Sequence, residues 1–369
     1  MNNRKILTFA VKIASAKVIE PRLPWRVNLA ITNLCNARCV MCNVWRLYRE
    51  NPQLVYEELS LEHITKLFSE LGSHLLWLHI TGGEPFLRRD LVKIIEIAIK
   101  NCKNLLIIDT STNGLMPETI KNVTEQIIQL LQDNRVVFGI GVSIDGPPKI
   151  HNYMRGVDKA WEQAIRTLRL LKELEKSYNN CHVHVNYTIT RYNAGYLAET
   201  YDNLQRMVDL SPNEISVSLE HSGIQFQNLN RIPRYDDIRN RILKDLSWVW
   251  EKSRDEKLLK NIVTWIRAKF KSAFVRLAIQ YTSEPTKMVL PCEALRSSIF
   301  IDPYGNVYPC TIWNIKLGNI KTSSLKEILH DSTAINARKA ILRGKCPNCW
   351  SGCESWPTML VRYWKALLQ

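Results

Sequence analysis

Cys35, Cys39 and Cys42 stand in the run Cys35-Asn-Ala-Arg-Cys39-Val-Met-Cys42. Thiolates at these spacings can reach three corners of a [4Fe–4S] cube and leave the fourth iron without a protein ligand. An open metal position can take a substrate or cofactor, which separates catalytic sites from closed structural ones. A zinc site is the alternative for the same three thiols. A second group comprises Cys292, Cys310, Cys346, Cys349 and Cys353, the last three in Cys346-Pro-Asn-Cys349-Trp-Ser-Gly-Cys353-Glu354. Five thiols complete one four-thiolate cluster but not two; zinc held by the last three with Cys310 is the alternative here. Of the ten cysteines, Cys102 and Cys181 stand apart and read as buried hydrophobes. Close cysteine clusters in a long chain suit metal binding in a reducing cytoplasm better than a disulfide scaffold.

These loops need strands and helices to position them. From residue 27 short apolar runs alternate with helical stretches, the pattern of βα units around a parallel sheet. Strands are expected near 27–32, 75–80, 105–110, 137–144, 182–189 and 214–219, with helices near 61–71, 90–101, 117–132, 158–177 and 194–209. Six repeats suit a partial (β/α)6 TIM-like barrel of the α/β class better than a complete eight-fold one. The expected organisation is a basic amphipathic segment at 1–26, the barrel at 27–220 and a basic helical bridge at 221–290. A small iron–sulfur cluster-binding domain at 291–369 follows and ends in a helix at about 357–368. Trp248, Trp250, Trp265, Phe270 and Phe274 in the bridge read as core packing.

The 369 residues are 46% apolar and 23% charged, with only 14 Gly and 15 Pro, which excludes collagen-like and disordered chains. No apolar run is long enough to span a membrane. The net charge of +15 is concentrated at residues 1–26, 231–276 and 338–369. Localised positive charge can meet a membrane surface, nucleic acid or an anionic substrate. Along residues 6–19, Lys5, Thr8, Lys12 and Ser15 share one helical face, and Ile6, Phe9, Ala10 and Ile13 the other, as in helices that lie in a membrane interface. Packing on the chain's own barrel is the competing expectation. Lys12 interrupts the apolar stretch before Ala14-Ser15-Ala16, so this segment is not read as a signal peptide.

The cysteine loop after the first strand resembles that of the radical SAM superfamily, and Gly82-Gly83-Glu84-Pro85 after the second strand resembles its GGEP motif. Ser111-Thr112-Asn113-Gly114 and Ser143-Ile-Asp145-Gly146-Pro147 with His151 to Gly156 are similar to segments after the third and fourth strands. The resemblance implies that Gly82, Gly83, Glu84 and Pro85 meet the amino end of S-adenosylmethionine and that Asn113 makes a further contact. It implies Ser143 and Asp145 near the ribose, Arg155 at the methionine carboxylate, and Met41 in place of the usual aromatic at the adenine. The later cysteines are similar to the twitch and SPASM extensions that hold auxiliary iron–sulfur clusters. A twitch-like module with one auxiliary [4Fe–4S] cluster is expected, because the full seven-cysteine pattern is absent.

The cofactors thus implied are S-adenosylmethionine, the [4Fe–4S] cluster that binds it, and a second auxiliary cluster. The implied reaction is reductive cleavage to a 5′-deoxyadenosyl radical, which takes a hydrogen atom from a substrate; no acid or base is assigned. A reducing electron donor is the implied partner. The substrate reading is a membrane-lipid head group, altered by C–C bond formation as in calditol synthase, by a cytoplasmic protein peripheral at the inner membrane face. Peptide and tetrapyrrole modification are the alternatives, although only 26 residues stand where peptide maturases often carry a recognition domain. Nucleic acid is not the expected partner, since no recognised RNA-binding module accompanies the charge. A non-catalytic electron carrier is the contrasting class, against which the open three-cysteine site and GGEP argue.

Overall fold

The computed structural model describes residues 3–16, 23–230, 235–253, 262–285 and 287–362. Six strands, β1 (Arg26–Thr32), β2 (Trp77–Gly82), β3 (Ile107–Thr112), β4 (Val137–Ser143), β5 (Cys181–Ile189) and β6 (Ile215–Leu219), pair in parallel, each with the next. Before, between and after them run α1 (Asn3–Ser15), α2 (Val44–Glu50), α3 (Leu61–Leu71), α4 (Leu91–Asn101), α5 (Pro117–Gln132), α6 (Pro148–Arg155), α7 (Ala160–Ser177), α8 (Leu197–Gln205), α9 (Arg239–Ser253) and α10 (Ile262–Ser283). The expected α/β partial barrel is present. Along β5, Val183, Val185, Tyr187 and Ile189 are buried toward the helices while His182, His184, Asn186 and Thr188 alternate inward, half-exposed.

The sequence places β2 and β3 two residues early. Leu75, Leu76, Leu105 and Leu106 are apolar and buried, but they belong to loops that enter the sheet at its amino edge, where Leu76 packs with Trp25. An apolar run therefore begins before the hydrogen-bond ladder does.

The C-terminal segment adds β7 (Ser298–Ile301), β8 (Asn306–Tyr308) and β9 (Gly318–Asn319), then α11 (Leu325–His330), α12 (Ser332–Leu342) and α13 (Gly352–Val361). β7 pairs in parallel with β1, from Arg26 opposite Ser298 to Leu29 opposite Ile301, so one nine-stranded sheet runs through barrel and cluster region. β1 is buried at every residue. The final helix begins at Gly352, earlier than expected, and residues 363–369 lie outside the described residues, as does the side chain of Trp265. Phe274 is buried, and Trp248, Trp250 and Phe270 pack partly buried against the core, as expected of the bridge.

In α1 both described lysines turn toward the protein. Lys5 Nζ donates to the carbonyls of Leu105 at 3.0 Å and Asn134 at 2.9 Å, and Lys12 Nζ to that of Ser73 at 2.6 Å. Phe9 meets Trp25 edge to face at 6.0 Å. Leu7, 65% exposed, and Val11, 57% exposed, form the outer ridge with Ala10 and Ala14. The expectation of a helix packed on its own barrel is met, with the basic face inward. No helix among the described residues is long and apolar enough to cross a membrane.

Because Leu29 is fully buried in the central strand, Leu29→Ala is expected to cost about 2–5 kcal/mol, read as a lower denaturant midpoint.

Candidate functional site

The cysteine loop leaves the carboxyl end of β1 and is pinned on two sides. Arg38 N–H donates to the Arg155 carbonyl at 2.8 Å and Val40 N–H to that of Met154 at 3.0 Å, which binds the loop to the end of α6. Gly156 closes α6 at φ +62°, and a Cβ there would lie 2.5 Å from the Arg38 carbonyl oxygen. Beyond β6, Phe226 accepts from Asn43 N–H at 2.9 Å, and Asn228 Nδ2 donates to the Met41 carbonyl at 2.9 Å. Met41 itself is half-buried.

Cys35, Cys39 and Cys42 face one guanidinium. Arg155 Nη1 lies 3.5 Å from Cys39 Sγ, its positive charge also acts on Cys35 and Cys42, and its Nη2 pairs with Asp145. Burial pushes the Cys35 thiol up to about 12 and raises Cys42 as well, with the neighbouring Cys39 adding to both. Three half-buried thiols with one shared cation form a donor set that fits a three-thiolate cluster. Bound iron would supply the positive charge that ionises the thiols, and Arg155 would offset what remains. Arg155 Nε is buried without a partner.

The end of β2 is drawn onto the end of β1. Gly83 N–H donates to the Thr32 carbonyl and Glu84 N–H to that of Leu34, both at 2.8 Å. A Cβ would lie 2.1 Å from the Thr32 oxygen at Gly82 and 2.3 Å from the Leu34 oxygen at Gly83, so only glycine allows this approach. Pro85 is buried and opens a single 3-10 turn. Glu84 is fully buried; it accepts from Thr112 Oγ1 at 3.0 Å, Asn113 N–H at 2.7 Å and Phe86 N–H at 3.3 Å. Glu84 thus braces β2 against β3, and the half-buried backbone of Gly82 and Gly83 is the more open part of the motif. Burial raises its carboxyl to about 7 despite these donors.

Asn113 Nδ2 donates to Asn36 Oδ1 at 2.7 Å and lies 3.9 Å from Cys35 Sγ. Asp145 is buried and accepts from Thr188 N–H at 2.7 Å, while Ser143 is half-buried opposite Asn186. The three cysteines, Glu84, Asn113, Asp145 and Arg155 thus occupy one region at the carboxyl ends of β1 to β4.

In the C-terminal region Cys292, Cys310, Cys346 and Cys349 line a single cavity together with Glu354. Backbone N–H groups point at two of these sulfurs, Ala294 N–H at 3.4 Å from Cys292 and Trp313 N–H at 3.3 Å from Cys310. Burial, with Glu354 nearby, raises Cys349 to about 12 and pushes Cys292 and Cys310 well above the ordinary thiol range. Cys353 is not among the cavity-lining residues. It stands at the start of α13, where Arg26 donates to its carbonyl and the same cation opposes the effect of burial on its thiol. Among the described residues no three Cys, His, Asp or Glu side chains gather tightly enough for a single metal ion. Four thiols around one cavity, with N–H donors aimed at sulfur, fit a cube-sized cluster better than zinc, whose bonds to sulfur are about 2.3 Å. The sequence assigned no role to Glu354 or Arg26; adjacency to Cys353 was the only signal for the first, and the second had none.

Residues 29–204 match the radical SAM superfamily, and residues 292–350 the SPASM iron–sulfur cluster-binding domain. The chain thus carries a radical SAM domain followed by a SPASM domain. S-adenosylmethionine and a [4Fe–4S] cluster are the cofactors of the first domain, and auxiliary iron–sulfur clusters those of the second. GTP 3′,8-cyclase of Haemophilus influenzae (strain PittEE) is 27% identical over 46% of this chain and 51% of its own length. The chain therefore spans about half the length of that relative. The subtilosin biosynthesis protein AlbA of Bacillus subtilis (strain 168) is 22% identical over 88% of this chain and 65% of its own. Among solved structures, Streptococcus suis SuiB bound to S-adenosylmethionine superimposes with a TM-score of 0.56 at 13% identity, covering 91% of this chain and 72% of SuiB. The SPASM match ends at residue 350, short of Cys353.

Two outcomes are expected. Glu84, protonated up to about pH 7 in the folded chain, must ionise on unfolding, so stability of the metal-free protein falls as pH rises from its ordinary range, near 4.3, to about 7. Glu84→Gln removes that slope, measured by denaturant melts across the window. Separately, Cys310→Ala is expected to lose about half of the reconstituted iron and Cys353→Ala none of it, by iron and sulfide analysis.

Proposed function

We propose that this chain reductively cleaves S-adenosylmethionine and uses the radical so formed to take a hydrogen atom from a substrate admitted to the barrel. The observation that carries this reading is the meeting of Cys35, Cys39 and Cys42 with Arg155, beside the close-packed glycines of the second strand. When bound, the reduced cluster and S-adenosylmethionine supply one electron and a 5′-deoxyadenosyl radical. The protein's work is to hold and to exclude. Cys35, Cys39 and Cys42 would ligate the SAM-binding cluster, and Gly82 and Gly83 let the ligand's ammonium approach the backbone. Asn113, Ser143 and Asp145 would contact the nucleoside and Met41 its base. Arg155, already bound to Asp145, offers its uncommitted Nε toward a carboxylate. Cys292, Cys310, Cys346 and Cys349 would hold an auxiliary cluster, leaving Cys353 outside it.

For substrate we infer a membrane-lipid head group at a peripheral site on the inner membrane face, with a cytoplasmic electron donor. Two observations support it. The barrel interior is lined by polar side chains that suit a polar head group, and α1 presents Leu7, Ala10, Val11 and Ala14 outward as an apolar ridge. Lys5 and Lys12 are occupied by the protein's own carbonyls, so the attachment rests on that ridge and not on the lysine face.

The test is mass spectrometry of total lipid extracts from cells with and without the gene, together with 5′-deoxyadenosine release by the reconstituted protein. Loss of one polar-lipid class, restored by the wild-type gene and not by Cys39→Ala, is the expected result. An unchanged lipid profile with intact 5′-deoxyadenosine release removes the lipid substrate and favours a peptide or tetrapyrrole. Absence of 5′-deoxyadenosine removes the radical reading itself in favour of an electron carrier.

A further inference from the structure

The barrel interior contains an ordered polar level that the reading above does not use. In β3 to β6 the helix-facing residues are buried while inward ones such as Asp109, Gly139, His184, Asn186 and Ser218 are half-exposed, so solvent reaches the inner face. Two glycines clear space on β4. A Cβ on Gly141 would lie 2.1 Å from Asn186 Nδ2, and one on Gly139 would lie 3.2 Å from Asp109 Cβ.

At one level of the sheet, Asn28 on β1 stands opposite His79 on β2, His79 opposite Asp109 on β3, and Asp109 opposite Gly139 on β4. Neighbours in register share a face of a parallel sheet. His79 Nδ1 lies 2.6 Å from Asp109 Oδ2, and a carboxylate can only accept, so Nδ1 carries the proton and donates. The indole N–H of Trp77 donates to the other carboxylate oxygen, and the Arg26 guanidinium lies 4.3 Å over the Trp77 ring. Although burial opposes it, His79, Arg26 and Trp77 together hold the Asp109 carboxyl below its ordinary range. With Nδ1 committed, Nε2 is the one ring nitrogen left for a ligand. Asn28 is fully buried, donates through Nδ2 to the Ile299 carbonyl at 3.3 Å, and keeps Oδ1 without a partner. An orphaned buried acceptor is destabilising, and a bound donor relieves it.

We propose that Asn28, His79 and Asp109 form an acid–base subsite in the barrel interior that binds a hydroxyl group of the substrate, with His79 exchanging its proton. The inference rests on the barrel being the radical active site. In the base direction the substrate O–H bond breaks, its electron pair stays on oxygen, and the proton passes to His79 Nε2. Asp109 accepts the Nδ1–H hydrogen bond throughout, fixes the ring's tautomer and balances the imidazolium. His79 is the catalytic residue of this subsite and Asp109 its positioning residue.

The test uses full-length reconstituted protein with S-adenosylmethionine and dithionite, and an extract of cells lacking the gene as substrate source. 5′-Deoxyadenosine and the gene-dependent product mass are followed together. In His79→Gly, 5′-deoxyadenosine is expected to be released still, while product falls about 10²–10⁴-fold and recovers when imidazole is added. His79→Gln, whose side chain fills the space, is expected to show the loss without the rescue, and Asp109→Asn to lose product with 5′-deoxyadenosine still formed. Undiminished product from His79→Gly overturns the subsite. So does a loss that imidazole leaves unrepaired while iron content and thermal unfolding match wild type, since a purely structural pairing behaves that way. Failure of the wild-type chain to release 5′-deoxyadenosine overturns the radical reading and this subsite with it.

Discussion

The structure depends on the double pairing of β1. With β2 on one side and β7 on the other, it is buried along its whole length, and both cysteine groups take their positions from it. Its carboxyl end releases the Cys35–Cys42 loop, and its first residue, Arg26, donates to the carbonyl of Cys353 at the start of α13. Parallel pairing fixes register strongly when both faces are buried, because a slip by one residue would turn every apolar side chain to the wrong face. The distance between the two cysteine sites is therefore set by a rigid ladder and not by a linker.

Around the open three-cysteine site, charge is arranged before any cluster is bound. Asp145 holds Arg155, and Arg155 faces the thiols of the loop. Glycine-only approaches at residues 82 and 83 then pull the second strand's end against the first, so the backbone of the motif is in place without a side chain in the way. Cavity lining and backbone donors give the C-terminal thiols a different character. Four of them line one cavity, as many as a closed site would need, whereas the first group numbers three.

The polar interior of the barrel meets the C-terminal region through Arg26. Arg26 touches the α13 end at one side and Trp77 at the other, and Trp77 and His79 both donate to Asp109. A contiguous network of this kind resists rearrangement because each group left unpaired would carry a desolvation cost of about 1–3 kcal/mol.

The sequence by itself determined the elements and motifs whose signals are local. Helices at 61–71 and 117–132 have the expected limits, because an amphipathic stripe with Ser60 as cap or Pro117 at the first turn is written in adjacent residues. The cysteine loop and Gly82-Gly83-Glu84-Pro85 were legible for the same reason. Tertiary structure alone decided that β7 joins the barrel sheet, since four short residues acquire their partner from a strand some 270 positions away. It alone selected Cys292, Cys310, Cys346 and Cys349 as the cavity set, turned the lysines of α1 inward, and brought Asn28, His79 and Asp109 to one level. Such neighbours are fixed by register and packing between distant segments, and no spacing along the chain records them.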